Sequence, residues 1–506
     1  MLTNTESLKY FFSEGFLSFF FLFLLIVSFL KRDLFTNSSF VYLLGISGVI
    51  ITLILELTLA TAGQGHTQLL FYGMLRNDYF AHLFKLLLVF SSLFLLVFSF
   101  ISKETNRKFL NSLEYVLLIL ASTLGMMLLA SSVNLLMMYL SLEFLSLTAY
   151  LLTGFSHRDE RSSEAAIKYL LYGAVASGAM LYGLSLLYGM AGSLDYFAIQ
   201  EYFAQNNVSG VIAYISVILI LAGAGFKIAA FPFHSWCPDV YEGAPTPFTA
   251  FLSVGSKSAG FALIVRFFYQ IFIEKGGGDI LVPIGGVDWS LLLAIISAFT
   301  MTLGNLAALQ QENIKRLLAY SGIAHAGYIL MAVASQTLFG VSSVFLYLVI
   351  YFLMNFGAFL VVIIIANEFN TELIEDYEGL VWKNARGAFL ASMFTIYLLS
   401  LTGIPPLAGF IGKVYLFLSV FEKGSSLYWL AVVAVINMVI SLYYYVRVIK
   451  VMFLLKGKEG VALSAMDRSQ YIQYSIMAGL SFLTIIFGIY WVPLDTLSKL
   501  AANFLN

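Results

Sequence analysis

Fourteen long apolar stretches limit what this chain can fold into more than any other feature. They lie near 11–31, 39–60, 79–102, 110–131, 132–155, 162–191, 210–232, 246–273, 288–310, 315–335, 339–367, 387–423, 427–455 and 470–493. A helix needs about 20 apolar residues to cross the hydrocarbon layer of a bilayer, and these stretches reach that length. The composition agrees: 60% of residues are hydrophobic, mean hydropathy is +0.90 and only 11% are charged, against roughly 25% charged in a soluble domain. So few charges cannot cover a water-facing surface. The expected fold class is therefore an all-α polytopic membrane protein with about 14 transmembrane helices. A net charge of −1 excludes a nucleic-acid binder driven by excess basic charge. The single cysteine, Cys237, excludes an internal disulfide and a four-Cys iron–sulfur cluster among these residues.

Two stretches cannot be simple spans. The fourth and fifth run together into about 69 Å of helix, twice a bilayer, so a turn is required, and Ser131, Ser132 and Asn134 have turn chemistry. The twelfth is also too long and contains Leu401-Thr-Gly-Ile-Pro-Pro-Leu-Ala-Gly409. Four of the eight prolines are Pro232, Pro238, Pro245 and Pro247, and two more are Pro405 and Pro406. Proline breaks a helix, and broken backbone survives in lipid only where protein or a wet cavity satisfies it. The regions 223–247 and 401–413 are thus expected to be interrupted helices lining a polar interior. Paired interruptions in two halves point to an inverted-repeat transporter. The first stretch is apolar like a signal peptide but ends in Lys31-Arg32-Asp33 without a small-residue cleavage site, so it reads as a retained helix.

Basic residues orient the chain. One set of loops holds Lys9, Arg76, Lys275, Lys423 and Lys499. The other holds Lys31, Arg32, Lys103, Arg107, Lys108, Arg158, Arg161, Lys383, Arg386, Lys456, Lys458 and Arg468. The richer set belongs in the cytoplasm, which puts both termini outside it. Trp289, Trp429 and Trp491 are expected near the outer interface, and Trp236 and Trp382 near the inner one.

Ionisable groups at bilayer depth each cost about 2.5–3.5 kcal/mol or more, so each demands a reason. The candidates are Glu143, Lys168, Lys227, Lys257, Lys315, His325 and Lys413, with His234 at a helix break. Tyr139, Glu143, Ser146 and Tyr150 share one helix face, which should turn the carboxylate toward the bundle. Lys168 follows Glu164 by four residues, a spacing that suits an ordinary helix-surface pair as well as function. Lys227 lies between close-packing glycines and Pro232. A carboxylate about 8 Å from it, at an effective dielectric of about 20, changes the energy of its charged form by roughly 2 kcal/mol. That is enough to toggle a buried lysine when the carboxylate moves; the bland alternative is a lysine snorkelling to the interface. Lys257 has Ser253, Ser256 and Ser258 beside it, small polar neighbours that leave room for water. Lys315 serves equally well as an interface anchor. His325 lies about two turns deeper, where its ordinary chemistry suits a relay or a packing hydrogen bond. Lys413 follows the Pro405-Pro406 break with no local partner. No histidine pair for haem, no Walker or dinucleotide glycine motif and no nucleophile elbow is present. What remains is proton-relay chemistry.

Three motifs then place the chain in a family. Lys227-Ile-Ala-Ala-Phe-Pro-Phe-His-Ser-Trp-Cys-Pro-Asp-Val-Tyr-Glu-Gly-Ala-Pro-Thr-Pro247, continued by Phe251-Leu and Ser256-Lys257, closely resembles the N-type antiporter-like subunits of proton-translocating NADH:quinone oxidoreductase (respiratory complex I). Asn313-Ile-Lys-Arg-Leu-Leu-Ala-Tyr-Ser-Gly-Ile-Ala-His-Ala-Gly-Tyr328 and Gly403-Ile-Pro-Pro-Leu-Ala-Gly-Phe-Ile-Gly-Lys413 are similar to two further motifs of that family. The resemblance extends with less force from about Glu114 to Arg447.

The resemblance implies fourteen helices, with helices four to eight and nine to thirteen as two inverted five-helix repeats and helices seven and twelve broken. It divides the chain into 1–109 (three helices), 110–275 and 288–455 (the repeats) and 456–506 (helix fourteen and tail). It implies a proton path in which Glu143 modulates Lys227. Lys257 and His234 would continue the path, Lys315 and His325 would link the halves, and Lys413 would stand at the exit; Lys168 matches the family's sixth-helix lysine. FMN, iron–sulfur clusters and quinone would belong to partner subunits, with no cofactor here. The partners would be other complex I membrane subunits, especially a neighbouring antiporter-like subunit and small membrane subunits, with lipid around them. The location would be the bacterial inner membrane. Gly322 departs from the family, which often has serine there, and is expected to thin the hydroxyl lining near His325. Two other readings are a subunit of an Mrp-type cation/proton antiporter and a purely structural membrane spacer.

Overall fold

The computed structural model describes the chain except Met1 and residues 32–34, 36, 63–66, 109–111, 157–158, 207–209, 276–280, 285, 287, 456–467 and 506, and gives backbone alone at 62, 106–108, 468–469 and 505. Arg32, Arg158, Lys456 and Lys458, used above for orientation, lie outside the described residues, as do the side chains of Arg107, Lys108 and Arg468.

Among the described residues, fourteen helices are long and apolar enough to cross a membrane. The first six are α1 (Phe12–Leu30), α2 (Ser38–Ala62), α3 (Tyr79–Ile101), α4 (Ser112–Ser131), α5 (Leu135–Thr153) and α6 (Glu160–Ala191). The seventh, α7 (Gly210–Ile228), is followed by the short α8 (Trp236–Gly243). The eighth runs from α9 (Thr246–Phe251) through a π-helical turn, Leu252–Ser256, into α10 (Lys257–Ile271). Then come α11 (Trp289–Ala308), α12 (Ile314–Ala334), α13 (Leu338–Phe369), α14 (Ala385–Thr402), α15 (Ala408–Lys423), α16 (Tyr428–Leu454) and α17 (Arg468–Ile489). Hydropathy thus located every span to within a few residues.

Side-chain caps set many boundaries. Asn134 accepts from the N–H groups of Leu136 and Met137, which starts α5 directly after the expected turn. Asp78, Asp159, Asn313, Thr337 and Asn384 likewise cap α3, α6, α12, α13 and α14. Gly192, Asn370 and Gly403 close α6, α13 and α14 in the left-handed region.

Both interruptions occur where proline predicted them. α7 stops at Ile228: Ala229 takes φ +58°, the N–H of Ala230 bonds back to the Gly225 carbonyl at 2.8 Å, and Pro232 cannot continue the ladder. α14 stops at Thr402, Gly403 turns the chain at φ +89°, and α15 resumes only at Ala408. The two halves of this twelfth span press together. A Cβ at Gly409 would lie 1.8 Å from the backbone oxygen of Ser400, an atom that cannot swing aside. Gly409→Ala is therefore expected to destabilise the chain by at least the ~1–3 kcal/mol of an overpacked core, read as a lowered melting temperature in detergent. Gly178→Ala, with nothing within 4 Å of its Cβ, should leave that temperature unmoved.

Burial separates the helices by role. α9–α10, α12 and α13 are buried on nearly every side, whereas α1, α6 and α16 expose most of theirs. The latter carry apolar outer surfaces such as Phe19, Val175 and Val439, which suit lipid or neighbouring subunits. The polar interior therefore centres on α10, α12 and α13.

The tryptophan pattern departs from expectation. Trp289 and Trp236 are core residues, 0% and 2% exposed. Trp236 stacks on Tyr169 at 4.3 Å and donates its indole N–H to the Phe226 carbonyl at 3.1 Å. A partner for both ring face and N–H makes burial favourable, so these two do not form an interfacial belt. Trp382, 76% exposed, does sit at a surface. Short elements escaped the hydropathy reading: the hairpins β1/β2 (Gln68–Leu70, Leu75–Asn77) and β3/β4 (Ile273–Lys275, Leu281–Pro283), a helix at Tyr196–Gln205 capped by Asp195, and α18 (Val492–Ala502).

Candidate functional site: a buried line of lysines and histidine

Four basic side chains lie deep in the bundle: Lys227 (1% exposed), Lys257 (2%), His325 (2%) and Lys413 (2%). Each comes from a different helix, α7, α10, α12 or α15, and the fold explains each position. Lys227 occupies the last turn of α7, just before the break. Its Nζ donates to Ser146 Oγ on α5 at 3.2 Å, and Glu143 lies one turn earlier on α5. Gly260 on α10 packs against the same turn: a Cβ there would stand 2.7 Å from Ile228 Cγ2, with the Lys227 stem in ordinary contact at 3.4 Å.

Lys257 opens α10 directly after the π-helical turn, a distortion that recurs at functional sites. Its Nζ is buried, has no hydrogen-bond partner among the described residues, and faces the Tyr241 ring at 5.8 Å. A Cβ on Gly322 would lie 2.9 Å from this Nζ and 3.1 Å from Tyr351 Oη. The departure at 322 thus makes room for Lys257 and Tyr351 and bears on them more directly than on His325.

His325 sits one turn further along α12. Its Nδ1 meets the Tyr347 hydroxyl at 2.6 Å and its Nε2 the Tyr445 hydroxyl at 3.3 Å, and Tyr445 in turn touches Ser321 Oγ at 2.5 Å. Tyr328, on the same helix, turns its ring to Lys413, with Nζ 4.9 Å from the centroid. Lys413 reaches back across its own broken helix and donates to the Thr402 carbonyl at 2.7 Å. That oxygen belongs to the unsatisfied, negative end of α14, which supplies the partner that sequence spacing left missing.

α13 ties the line together. Tyr347, Tyr351 and Asn355 recur every four residues on one face. Tyr347 holds His325, Tyr351 stands by Gly322 and Lys257, and Asn355 donates to Ser253 Oγ at 2.8 Å. Sequence reasoning missed these three and Tyr445. The available signal was a four-residue polar stripe in an otherwise apolar helix.

The other expected residues lie elsewhere. Glu143, in the middle of α5, is only half-buried, and its Oε1 is enclosed with no hydrogen-bond partner among the described residues, so it is not wholly inside the bundle. His234 is half-buried at the break. Lys168 is no deep group: 38% exposed, it pairs with Glu164 and Asp239, both at 2.7 Å. Lys315 is buried but saturated. Its three N–H groups go to the carbonyls of Glu242 and Ala244, each at 2.8 Å, and to Glu372 at 3.0 Å. That geometry pins the start of α12 to the end of α8.

Lys315 lines a polar cavity of about 1060 Å³, together with Glu104, Glu242, Arg316, Glu368 and Glu372 among others, and Lys168 lines a smaller adjoining one that shares Glu242 and Arg316. At its edge Asp239 bridges Lys168 and Arg316. Burial alone would raise its pKa, but the two cations hold it below the usual carboxylate value. Such a group stabilises the fold above its unfolded pKa, near 3.9, and that contribution disappears only as pH falls through the lower folded value. The stability difference between the wild type and Asp239→Asn should stay flat from neutral pH down to about 4 and close in stronger acid, as read by thermal melts across pH.

Fourteen spans, two of them interrupted, around a buried row of lysines and histidine define an antiporter-like membrane subunit. Residues 132–441 match the family described as NADH:quinone oxidoreductase/Mrp antiporter, TM. Subunit N 2 of the NADH-quinone oxidoreductase of Chloroherpeton thalassium is 44% identical over 434 residues, covering 85% of this chain and 82% of that one. Subunit N of Chlorobium chlorochromatii is 40% identical over 502 residues, covering 99% and 96%. A chain of respiratory complex I from Thermus thermophilus with bound aureothin superposes with a TM-score of 0.77 at 30% identity, over 97% of this chain and 99% of that one. A chain of the Mrp complex from Dietzia sp. DQ12-45-1b shares the fold, with a TM-score of 0.81 at 19% identity over 99% and 98%. The chain belongs to the NADH-quinone oxidoreductase subunit N family.

Proposed function

We propose that this chain carries protons across the membrane as part of NADH:quinone oxidoreductase, through Lys227, Lys257, His325 and Lys413. One observation carries the reading: four basic groups, each at most 2% exposed, come from four different helices, with two of them beside helix breaks and hydroxyl groups between them. Burying charge in lipid without function is costly. A structural stitch would pair each lysine with a carboxylate, whereas Lys227 and Lys413 bond only a hydroxyl and a carbonyl. Buried polar atoms of Lys257, Ser258 and Tyr351 have no hydrogen-bond partner among the described residues, which suits a hydrated interior.

In this reading Glu143 tunes Lys227 from the margin, Lys257 passes protons toward His325, and Lys413 delivers them to the far side. His234 borders the path at the seventh-span break. Lys315 anchors the wall of the polar cavity, and Lys168, paired with Glu164 and Asp239, braces its neighbourhood without carrying protons. The segments 110–275 and 288–455 act as inverted repeats, each with one broken helix. The setting is the bacterial inner membrane with both termini outside the cytoplasm. NADH, FMN, iron–sulfur and quinone chemistry resides on partner subunits. Moving one charge against 100 mV requires about 2.3 kcal/mol, so the redox reaction supplies the drive. The fold is shared with an Mrp complex, but the relatives at 40–44% identity favour the oxidoreductase.

Detergent extraction tests the assignment. This chain should travel with NADH-oxidising, quinone-reducing subunits, and the reconstituted assembly should acidify vesicles when NADH is added. Co-purification with a cation antiporter that ignores NADH would reverse it.

A further inference from the structure

A second group of buried ionisable side chains lies outside the line described above, in the three-helix segment α1–α3. Ser13 and Glu14 come from the first turn of α1, Glu56 from the end of α2, and His82 and Lys85 from the first two turns of α3. α1 and α3 begin, and α2 ends, on the same side, so the five residues share one end of the segment. All are at most 3% exposed. Lys85 Nζ lies 2.5 Å from Glu14 Oε1, and His82 Nδ1 lies 2.6 Å from Glu56 Oε1. Ser13 Oγ closes the ring, 2.5 Å from Glu56 Oε2 and 2.8 Å from Glu14 Oε2.

The proton count of that ring decides its chemistry. A serine hydroxyl has one hydrogen, yet Ser13 Oγ is in hydrogen-bond range of two carboxylate oxygens. If both carboxylates are ionised, one of these contacts sets oxygen against oxygen with no proton between. If one carboxyl is protonated, it donates to Ser13 Oγ, Ser13 donates to the other, and both contacts are satisfied. Charge gives the same proton count: two carboxylates, one ammonium and a neutral imidazole sum to −1, and one bound proton brings the group to zero whether it rests on a carboxyl or on His82; the double contact of Ser13 is what favours the carboxyls.

We propose that Ser13, Glu14, Glu56, His82 and Lys85 form a separate proton-binding site that holds one exchangeable proton between the two carboxyls. The surroundings keep that proton exchangeable. Asp78, one turn before His82, is engaged by Arg266 at 2.8 Å and Arg76 at 3.1 Å. That triad is positive by one charge and supports the deprotonated state. α4 packs on all three helices, but its ionisable groups, Glu114 and Tyr115, lie in its first turn at the opposite end. α10 and α13 also pack on α3, but Arg266 is engaged by Asp78, and Lys257, Tyr347 and Tyr351 face the His325 line. On α18, Asp495 and Lys499 pair with each other at 2.6 Å. With the histidine bonded to Glu56, the proton belongs to the coupled set and not to one residue.

Infrared difference spectroscopy of the purified whole complex tests this, reading protonation and not transport. A failure here therefore leaves the transport reading intact. The wild type should show a buried carboxylic-acid C=O band that shifts in D₂O and fades as pH rises. Glu14→Gln and Glu56→Gln should each remove it, and Ser13→Ala should move its frequency. His82→Gln keeps a hydrogen bond to Glu56 and should displace the pH midpoint by about one unit or more. Should Glu14→Gln and Glu56→Gln fail to assemble, Ser13→Ala and His82→Gln decide alone. An unmoved band in the first or an unmoved midpoint in the second overturns the proposal, as does a wild-type spectrum from which neither glutamine variant subtracts a carboxylic-acid band.

Discussion

Lys227→Met should lower NADH-driven proton translocation through this chain by about two orders of magnitude, the ordinary loss when a positioned proton-transfer group is removed. Methionine keeps the length and apolar stem of lysine and fits the space beside Gly260, so assembly should survive. What vanishes is the one group at the end of α7 that can hold a proton between Ser146 and the interior. The check is pH-dye quenching in vesicles containing the assembled complex, with NADH oxidation followed in the same sample. Ser146→Ala, which removes a hydrogen bond but no proton carrier, should cost far less.

Asp78→Ala should produce the largest loss of stability. Arg266 is 1% exposed and grips Asp78 through both terminal nitrogens at 2.8 Å, while its Nε donates to the Ala130 carbonyl at 3.0 Å. Arg76 approaches the same carboxylate at 3.1 Å and also holds Gln270 at 2.8 Å. The triad joins the hairpin β1/β2 and α3 to α4 and α10. Removing one partner of a buried pair leaves an uncompensated charge and costs about 3–5 kcal/mol. The complex should melt well below the wild type in detergent. The double variant Asp78→Ala with Arg266→Met should recover part of that loss, since it strands one arginine fewer.

Much of this was legible before any coordinates. Spans are continuous apolar runs, a local property, so hydropathy found them and proline and glycine found the breaks at 229–232 and 403–407. Lys227, Lys257, His325 and Lys413 stood out because charge is conspicuous in an apolar background. Depth was harder to read. Lys168 and Lys315 occupy helical stretches as apolar as the others, yet one is an exposed rim pair and the other a saturated anchor, because their partners Asp239 and Glu372 arrive from distant segments. The same limit hid the Ser13–Lys85 group, in which Ser13 and Glu56 meet from 43 residues apart. It also hid the burial of Trp236 and Trp289. Tyr347 and Tyr351 were overlooked because tyrosine passes for an apolar residue in a hydropathy count, and Asn355 because it carries no charge to mark it in the apolar run.

Protons moved per NADH oxidised, measured in vesicles holding the complex with Lys413→Met beside the complex with Lys168→Met, bears most directly on the buried line as the proton route. Lys413→Met should lower the ratio or stall NADH oxidation in a coupled complex, while Lys168→Met, at the exposed rim, should leave both near wild type. A fully assembled Lys413→Met complex that oxidises NADH at the normal rate with an unchanged proton ratio would contradict the route.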